Sequence, residues 1–318
     1  YNQLKSQISE LISGYGAERI GIVLGSSNSG VQETYQDIQA LLQNNKSRFD
    51  LRTLEIGSPS SFLANITSVS GPAYTISTAC SSSAKAFKSA ANLIQTGHCD
   101  AVIVGGTDAL CSFAVNGFNA LEAMSAKHTN PFSKNRDGIN IGEGAALFLL
   151  TKDPGSEGIE LLGVGESSDA YHMTSPQPDG EGAMAAIRAA LIDAELETKD
   201  IDYINLHGTG TELNDSMESK AVSALFGSDI PCSSTKALTG HTLGTCGAVE
   251  AAFCWLALSS LNKDKHLPVH AWDGVYDPEL PKLSFVKAGD TADAQICLSN
   301  SFAFGGSNAA VILGRRPG

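Results

Sequence analysis

The chain has 318 residues, 42% of them hydrophobic, and a formal net charge of −13 at pH 7. That length supports a large core in one domain or two fused halves, and the acidic balance excludes the basic surface that nucleic-acid phosphates require. No apolar run approaches the ~20 residues of a membrane helix, and residues 1–10 lack the charged-then-apolar order of a signal peptide, so a cytoplasmic protein without membrane or nucleic-acid partners is expected.

Short apolar runs alternate with helical periodicity along the chain, which predicts α/β layering. Arg19–Ser26 (RIGIVLGS) reads as a buried strand. Ala73–Thr78 reads as another, running directly into a helix on which Ala84, Phe87, Ala91 and Ile94 share one stripe. Ala101–Val104 and Ala145–Leu150 are the next strands. Lys152 to Ser156 (KDPGS) has linker composition. The pattern then repeats: a strand over Ile159–Gly165, a helix with Met184, Ile187 and Leu191 on one face, and a strand over Ile201–Leu206 ending at a His-Gly turn. A short strand at Pro231–Thr235, a helix from about Gly247, and a hairpin-like pair at Gln295–Ser299 and Ala309–Leu313 complete the chain. GINIGEGAALFLL (138–150) echoes FAFGGSNAAVILG (302–314), and the helices after Cys80 and His241 stand in the same relation. Two similar halves are predicted, 1–154 and 155–318.

Four segments carry chemistry. Ser77–Ser83 (STACSSS) puts Cys80 at a strand-to-helix junction, where free amide N–H groups and the positive helix end favour a thiolate. The same pattern also fits a buried cysteine at a helix start. His207–Asp215 (HGTGTELND) ends a strand in a glycine-threonine turn, the place where sites collect in α/β folds. Ser233–His241 (SSTKALTGH) sets Lys236 and His241 around a glycine turn, and Asn300–Asn308 (NSFAFGGSN) puts Phe302 and Phe304 beside paired glycines. There are 7 cysteines and no Cys-x-x-Cys pair, so zinc-finger and thioredoxin-type sites have no support. Cysteines other than Cys80, Cys246 among them, read as small core residues.

In this order and spacing the four segments resemble the β-ketoacyl-acyl-carrier-protein synthases of the thiolase superfamily, with their TAC, HGTxTxxxD, KxxxxH and NSFxFGGxN motifs. NPFSKNRDGINIGEGAA (130–146) and SSDAYHMTSP (167–176) resemble further segments of that family. A Cys-His-His set looks like the chain-elongating members. The resemblance implies a thiolase-like α/β fold: two pseudo-symmetric halves, each with a five-stranded sheet, stacked as five αβαβα layers. It implies that Cys80 takes an acyl group from a carrier thioester, with an oxyanion hole from the backbone N–H groups of Cys80 and Phe302. His207 and His241 would then hold the thioester oxygen of a malonyl-type carrier as carbon dioxide leaves, and loading of Cys80 would need little from them. Lys236 resembles the lysine that tunes the histidines, and Glu250 the acid that supports the local structure. Thr174, Thr209 and Thr211 would bind the phosphopantetheine arm, Phe118 would sit at the acyl-tunnel mouth, and Phe302 and Phe304 would gate it.

No metal and no dissociable cofactor are implied, because the arm arrives on the acyl carrier protein. A homodimer is implied, a heterodimer with a related synthase being the variant. Fatty-acid, polyketide and polyene assembly all use this chemistry. Three departures stand out: a glycine-rich strand and helix that relatives carry ahead of the position of Tyr1, which reads either as a truncation or as a segment supplied differently; Ser133 in place of an acid; and Glu122 where some relatives present a base to the carrier, with Lys46, Arg48 and Arg52 as substitutes. Two other functions remain open at this level: a non-condensing partner like the chain-length factors, and a thiolase-like acyltransferase using coenzyme A.

Overall fold

The computed structural model describes residues 1–47, 49–153 and 157–315. Its first half runs α1 (Lys5–Tyr15), β1 (Ile20–Gly25), α2 (Val31–Leu42), α3 (Leu51–Leu54), α4 (Ser58–Thr67), β2 (Ala73–Ile76), α5 (Ser82–Gln95), β3 (Ala101–Asp108), α6 (Ser112–Ala120) and β4 (Gly144–Thr151). The second half runs β5 (Glu160–Ser168), α7 (Glu181–Ala194), β6 (Tyr203–Asn205), α8 (Glu212–Phe226) and β7 (Pro231–Ser233). It continues with α9 (Lys236–Thr239), α10 (Cys246–Leu258), β8 (Ser284–Phe285), β9 (Ile296–Ala303) and β10 (Ser307–Gly314). Of the linker read from the sequence, Pro154, Gly155 and Ser156 lie outside the described residues, as does Arg48.

The strands form two sheets, of order β2-β1-β3-β4 and β5-β10-β9-β6-β7-β8. In the first, β1 is parallel to β2 and β3, and β3 is antiparallel to β4. In the second, β6 is parallel to β7 and β9, and β9 is antiparallel to β10. The run β7-β6-β9-β10 therefore repeats β2-β1-β3-β4 in order and sense, and the two echoing segments become the equivalent strands β4 and β10. The expectation of five strands per half is corrected to four and six. The second sheet gains β5, antiparallel to β10, and the two-residue β8 beside β7. The first sheet has no counterpart of either among the described residues.

Helices α5 and α10 lie between the sheets, α1 and α4 cover the outer face of the first, and α7 covers the second with α8 beside it. That makes five layers. The middle layer is thin because its contacts are small: Ala84, Ala86 and Ala90 of α5 and Ala248 and Ala251 of α10 are buried. A Cβ on Gly247 would sit 2.8 Å from that of Ala84, so only glycine lets α10 approach this closely. Val23, Val102 and Val104 of one sheet and Tyr203, Val311 and Leu313 of the other share a single core cluster across these helices. Each such side chain contributes roughly 1.5–3 kcal/mol on burial, so the two halves stabilise one another through the layer that carries the site. Among the described residues no helix is long and apolar enough to cross a membrane.

Candidate active site

Cys80 sits in the turn between β2 and α5. Ala79 before it takes a left-handed φ of 51°, a conformation costing roughly 1–2 kcal/mol that persists only where its surroundings enforce it. The following serines provide that enforcement. Ser82 Oγ accepts from the Thr78 N–H at 2.9 Å and donates to the Ala79 carbonyl at 2.5 Å. Ser81 Oγ donates to the Thr78 carbonyl at 2.8 Å, and Ser83 Oγ accepts from the Ala248 N–H at 2.9 Å, tying the turn to α10. Behind the turn, any side chain on Gly25 would collide with the Ser83 backbone.

His207 follows β6, and its conformation is set by α8. The His207 and Gly208 N–H groups each donate at 2.7 Å to one carboxylate oxygen of Glu218. Asp215, one turn earlier on the same helix, accepts from Gly210 at 3.2 Å and from Phe132 at 2.7 Å. His241 follows α9, held by its N–H donating to the Asn140 carbonyl at 2.7 Å. The two rings meet edge to face, centroids 5.4 Å apart, with Phe302 6.0 Å from His207.

His241 Nε2 lies 2.9 Å from Cys80 Sγ. Burial pushes the Cys80 thiol up to about 12, against the opposing charge of Lys236. Burial and the Lys236 charge hold both imidazoles well below the usual histidine value. The resting pair is therefore a neutral thiol donating to a neutral imidazole. Burial thus works against a free thiolate at this helix end. Alkylation of Cys80 by iodoacetamide should accordingly be slow and show no inflection between pH 6.5 and 9, where an exposed thiol titrates. A clear inflection near pH 8.5 would contradict this.

Lys236 lies beneath the site, only 1% exposed. Its Nζ donates to the His207 carbonyl at 2.5 Å, contacts His207 Nδ1 at 3.3 Å and is hydrogen-bonded to Glu250 Oε1. We assign an ammonium–carboxylate pair: burial favours both neutral forms, but the Glu250 charge holds Lys236 above its usual value, and either charge alone would be strongly destabilising there. An ammonium facing Nδ1 makes that nitrogen the acceptor, so the His207 proton sits on Nε2, on the other side of the ring.

A cavity of about 400 Å³ opens over these groups, and Cys80, His207 and His241 line it. Thr174, Thr209 and Thr211 line its polar side, the last two with hydroxyls 2.9 Å apart. Phe118, Phe302 and Phe304 line it as well, and the Phe118 and Phe304 rings are 5.6 Å apart. Every residue expected to touch ligand thus reaches one space, with Lys236 and Glu250 below it. Glu122 also borders the cavity, Arg52 is taken up in an ion pair with Asp50, and Ser133 recruits an acid from elsewhere by donating to Asp273 at 2.8 Å.

Sequence reasoning missed two neighbours. Glu218 was legible, since Asp215 and Glu218 are three apart and share a helix face directed at the His207 turn. Cys246 is buried as expected, but it touches the nucleophile: its Sγ donates to the Cys80 carbonyl at 3.1 Å. Nothing in the local sequence marks that contact, which arises from the packing of α10 on α5.

Residues 10–154 match the family model described as "Beta-ketoacyl synthase, N-terminal domain", and residues 159–267 match "Beta-ketoacyl synthase, C-terminal domain". Over 93% of its length the chain is 32% identical to 3-oxoacyl-[acyl-carrier-protein] synthase 2 of Staphylococcus aureus, covering 77% of that relative. A chain of the solved complex of the ketosynthase ApeO with its chain length factor ApeC from Xenorhabdus doucetiae superposes with a TM-score of 0.94 at 46% identity. That match covers 99% of this chain and 79% of the other. The ishigamide ketosynthase/chain length factor gives a TM-score of 0.85 at 30% identity, covering 96% and 77%.

Proposed function

Because the chain belongs to the β-ketoacyl synthase family, an acyl-transferring group of condensing enzymes, we propose that Cys80 is its acyl-accepting nucleophile, in a decarboxylative condensation of an acyl group with a malonyl carrier. The 2.9 Å contact between Cys80 Sγ and His241 Nε2, on the floor of a cavity that His207 also faces, carries this reading.

In the first step Cys80 Sγ attacks the carrier thioester. Its proton passes to His241 Nε2 and stays there, the acyl–sulfur bond to Cys80 forms, and the carrier thiolate leaves and takes its proton from solvent. The backbone N–H groups of Cys80 and Phe302 receive the oxyanion. Once Cys80 is acylated, no S–H competes for His241 Nε2. The Nε2–H forms of His241 and His207 then donate together to the oxygen of an incoming malonyl thioester. The carbon–carbon bond to the carboxylate breaks, carbon dioxide leaves, and the electron pair becomes an enolate on that oxygen. The enolate carbon attacks the acyl-Cys80 carbonyl, giving a 3-oxoacyl carrier, and the departing Cys80 thiolate takes its proton back from His241 Nε2. Lys236 fixes the His207 tautomer, and Glu250 compensates the Lys236 charge. The half 1–154 thus contributes the nucleophile and the half 155–318 the two histidines. The reaction needs no metal or dissociable cofactor, since the arm belongs to the carrier substrate.

The partners follow from the same reading. A phosphopantetheine arm fits the threonine-lined side of the cavity, which supports an acyl carrier protein as the substrate's bearer. Tyr35, Leu42, Leu51, Phe62 and Phe113 are large apolar side chains exposed on α2, α3, α4 and α6, and such surface marks an interaction site. We read it as the face for a second synthase-like subunit, a copy of this chain in the simplest case; the similar ketosynthase ApeO was solved in complex with a chain length factor. Sedimentation at working concentration should show a dimer, and an active monomer would contradict it.

The Phe118 and Phe304 rings, 5.6 Å apart on the cavity wall, are the ones we assign to the acyl end. Phe118→Ala removes that ring and should shift preference toward longer or bulkier acyl groups, by about tenfold or more in the ratio of kcat/KM values, since each methylene accommodated in an apolar pocket is worth roughly 1–3 kcal/mol. Competition between short and long acyl carriers measures this ratio; an unchanged ratio would make Phe118 ordinary packing.

A further inference from the structure

We propose that Cys80, His207 and His241 form a latent site for a thiophilic divalent cation such as Zn²⁺, and that the buried ammonium of Lys236 keeps that site closed. The three side chains are buried, and their ligand atoms lie within 4.8 Å of one another. One thiolate and two imidazoles at Zn–S of about 2.3 Å and Zn–N of about 2.0–2.1 Å place tetrahedral ligand atoms about 3.3–3.6 Å apart. The 2.9 Å separation of Cys80 Sγ and His241 Nε2 has to open by only about 0.6 Å to meet that. The fourth position faces the cavity, as in sites that combine three protein ligands with an open position. Binding breaks the Cys80 S–H bond, forms the sulfur–metal bond and releases one proton to solvent. A nucleophile so occupied cannot accept an acyl group, so an unguarded site would be a standing liability in any solution containing traces of zinc.

Two features of Lys236 oppose occupation. Its Nζ stands 3.3 Å from His207 Nδ1, which leaves the proton on Nε2 and denies a metal that lone pair. Its unit charge also lies one imidazole away from where a dication would sit, in a buried setting where charges are poorly screened. Glu250 neutralises Lys236 on its far side without facing the cavity: it is hydrogen-bonded to Nζ and does not line the pocket. The same lysine that fixes the tautomer for enolate binding therefore also excludes soft metal ions from the thiol.

The test titrates Zn²⁺ and Co²⁺ alone into the whole chain, with equilibrium dialysis and the thiolate-to-cobalt charge-transfer band as readouts. Lys236→Met with Glu250→Gln removes both charges together, so no unpaired charge stays buried; Lys236→Ala, which leaves room for water beside Glu250, is the second variant. Either variant should bind one Zn²⁺ per chain at least about a hundredfold more tightly than the unmutated chain. The cobalt band should disappear when Cys80→Ala is added and persist when Cys246→Ala is added. Equal affinity in the variants and the unmutated chain, or metal binding that survives Cys80→Ala, would overturn the proposal. The readout is binding rather than condensation, so its failure is separable from failure of the proposed reaction.

Discussion

Cys80→Ala is expected to abolish acyl-enzyme formation while leaving the fold in place. The substitution removes one sulfur from a turn whose shape is held by other groups: the Ser81, Ser82 and Ser83 hydroxyls, the Gly25 backing and the Cys246 hydrogen bond to the residue 80 carbonyl. Alanine keeps the backbone N–H groups and that carbonyl, so the elbow stays formed. What is lost is the only thiol among the described residues that lines the cavity, since Cys246 donates from beneath and does not border it. Loss of a covalent nucleophile costs on the order of 10⁶ in kcat. Intact-protein mass spectrometry after incubation with acyl carriers reads the loading, and thermal unfolding reads the fold. Undiminished acylation of the variant would remove Cys80 from the mechanism; loss of the folded transition would mean that the sulfur is structural.

The second large effect separates the two histidines. His207 touches neither the thiol nor the acyl-transfer proton, and its Nε2–H is available only to a ligand oxygen. His207→Ala should therefore load Cys80 at nearly the unmutated rate and release carbon dioxide from a malonyl carrier about 10²–10³-fold more slowly, the usual consequence of losing one preorganised donor. His241 has two tasks. Its Nε2 accepts the proton of a thiol held near 12 by burial, and in the acyl-enzyme it becomes the second donor. His241→Ala should slow loading by about 10²–10⁴-fold, the range of general-base catalysis, and slow decarboxylation as well. Measuring Cys80 acylation and carbon dioxide release separately distinguishes the outcomes. Equal loading in both variants would mean that the thiol is activated without His241, and unmutated decarboxylation in both would remove the proposed enolate site.

These assignments depended unequally on the sequence. The central strands were legible because β1, the first halves of β3 and β9, and the second half of β10 are rich in apolar residues, and the site residues because each closes a strand or opens a helix within a glycine- or serine-rich turn. The symmetry was faintly legible in the two glycine–strand segments that become β4 and β10. Helix α8 was not read as a helix, since its buried residues include Asn214, Asp215, Glu218 and Ser219. A helix whose inward face is polar, because it serves the backbone of the His207 turn, leaves no apolar stripe to detect. Helices α2 to α4 were hidden for the opposite reason, with apolar residues such as Leu42 and Phe62 facing outward. The burial that opposes a free thiolate was not legible, because a helix end is visible in sequence and desolvation is not: only the packed structure shows that Cys80 is 7% exposed beneath two imidazoles.

The claim that the chain condenses acyl groups through Cys80 is tested most directly in one reaction vessel. The purified chain, with its partner subunit if one is required, is first loaded from an acyl carrier, and the modified peptide is located by mass spectrometry. A malonyl carrier is then added, and carbon dioxide and 3-oxoacyl carrier are quantified together. The account predicts an acyl group on Cys80 alone, followed by its disappearance as carbon dioxide and 3-oxoacyl carrier appear in equal amounts. An acyl group carried stably by a different residue, or carbon dioxide released without any 3-oxoacyl product, would contradict it.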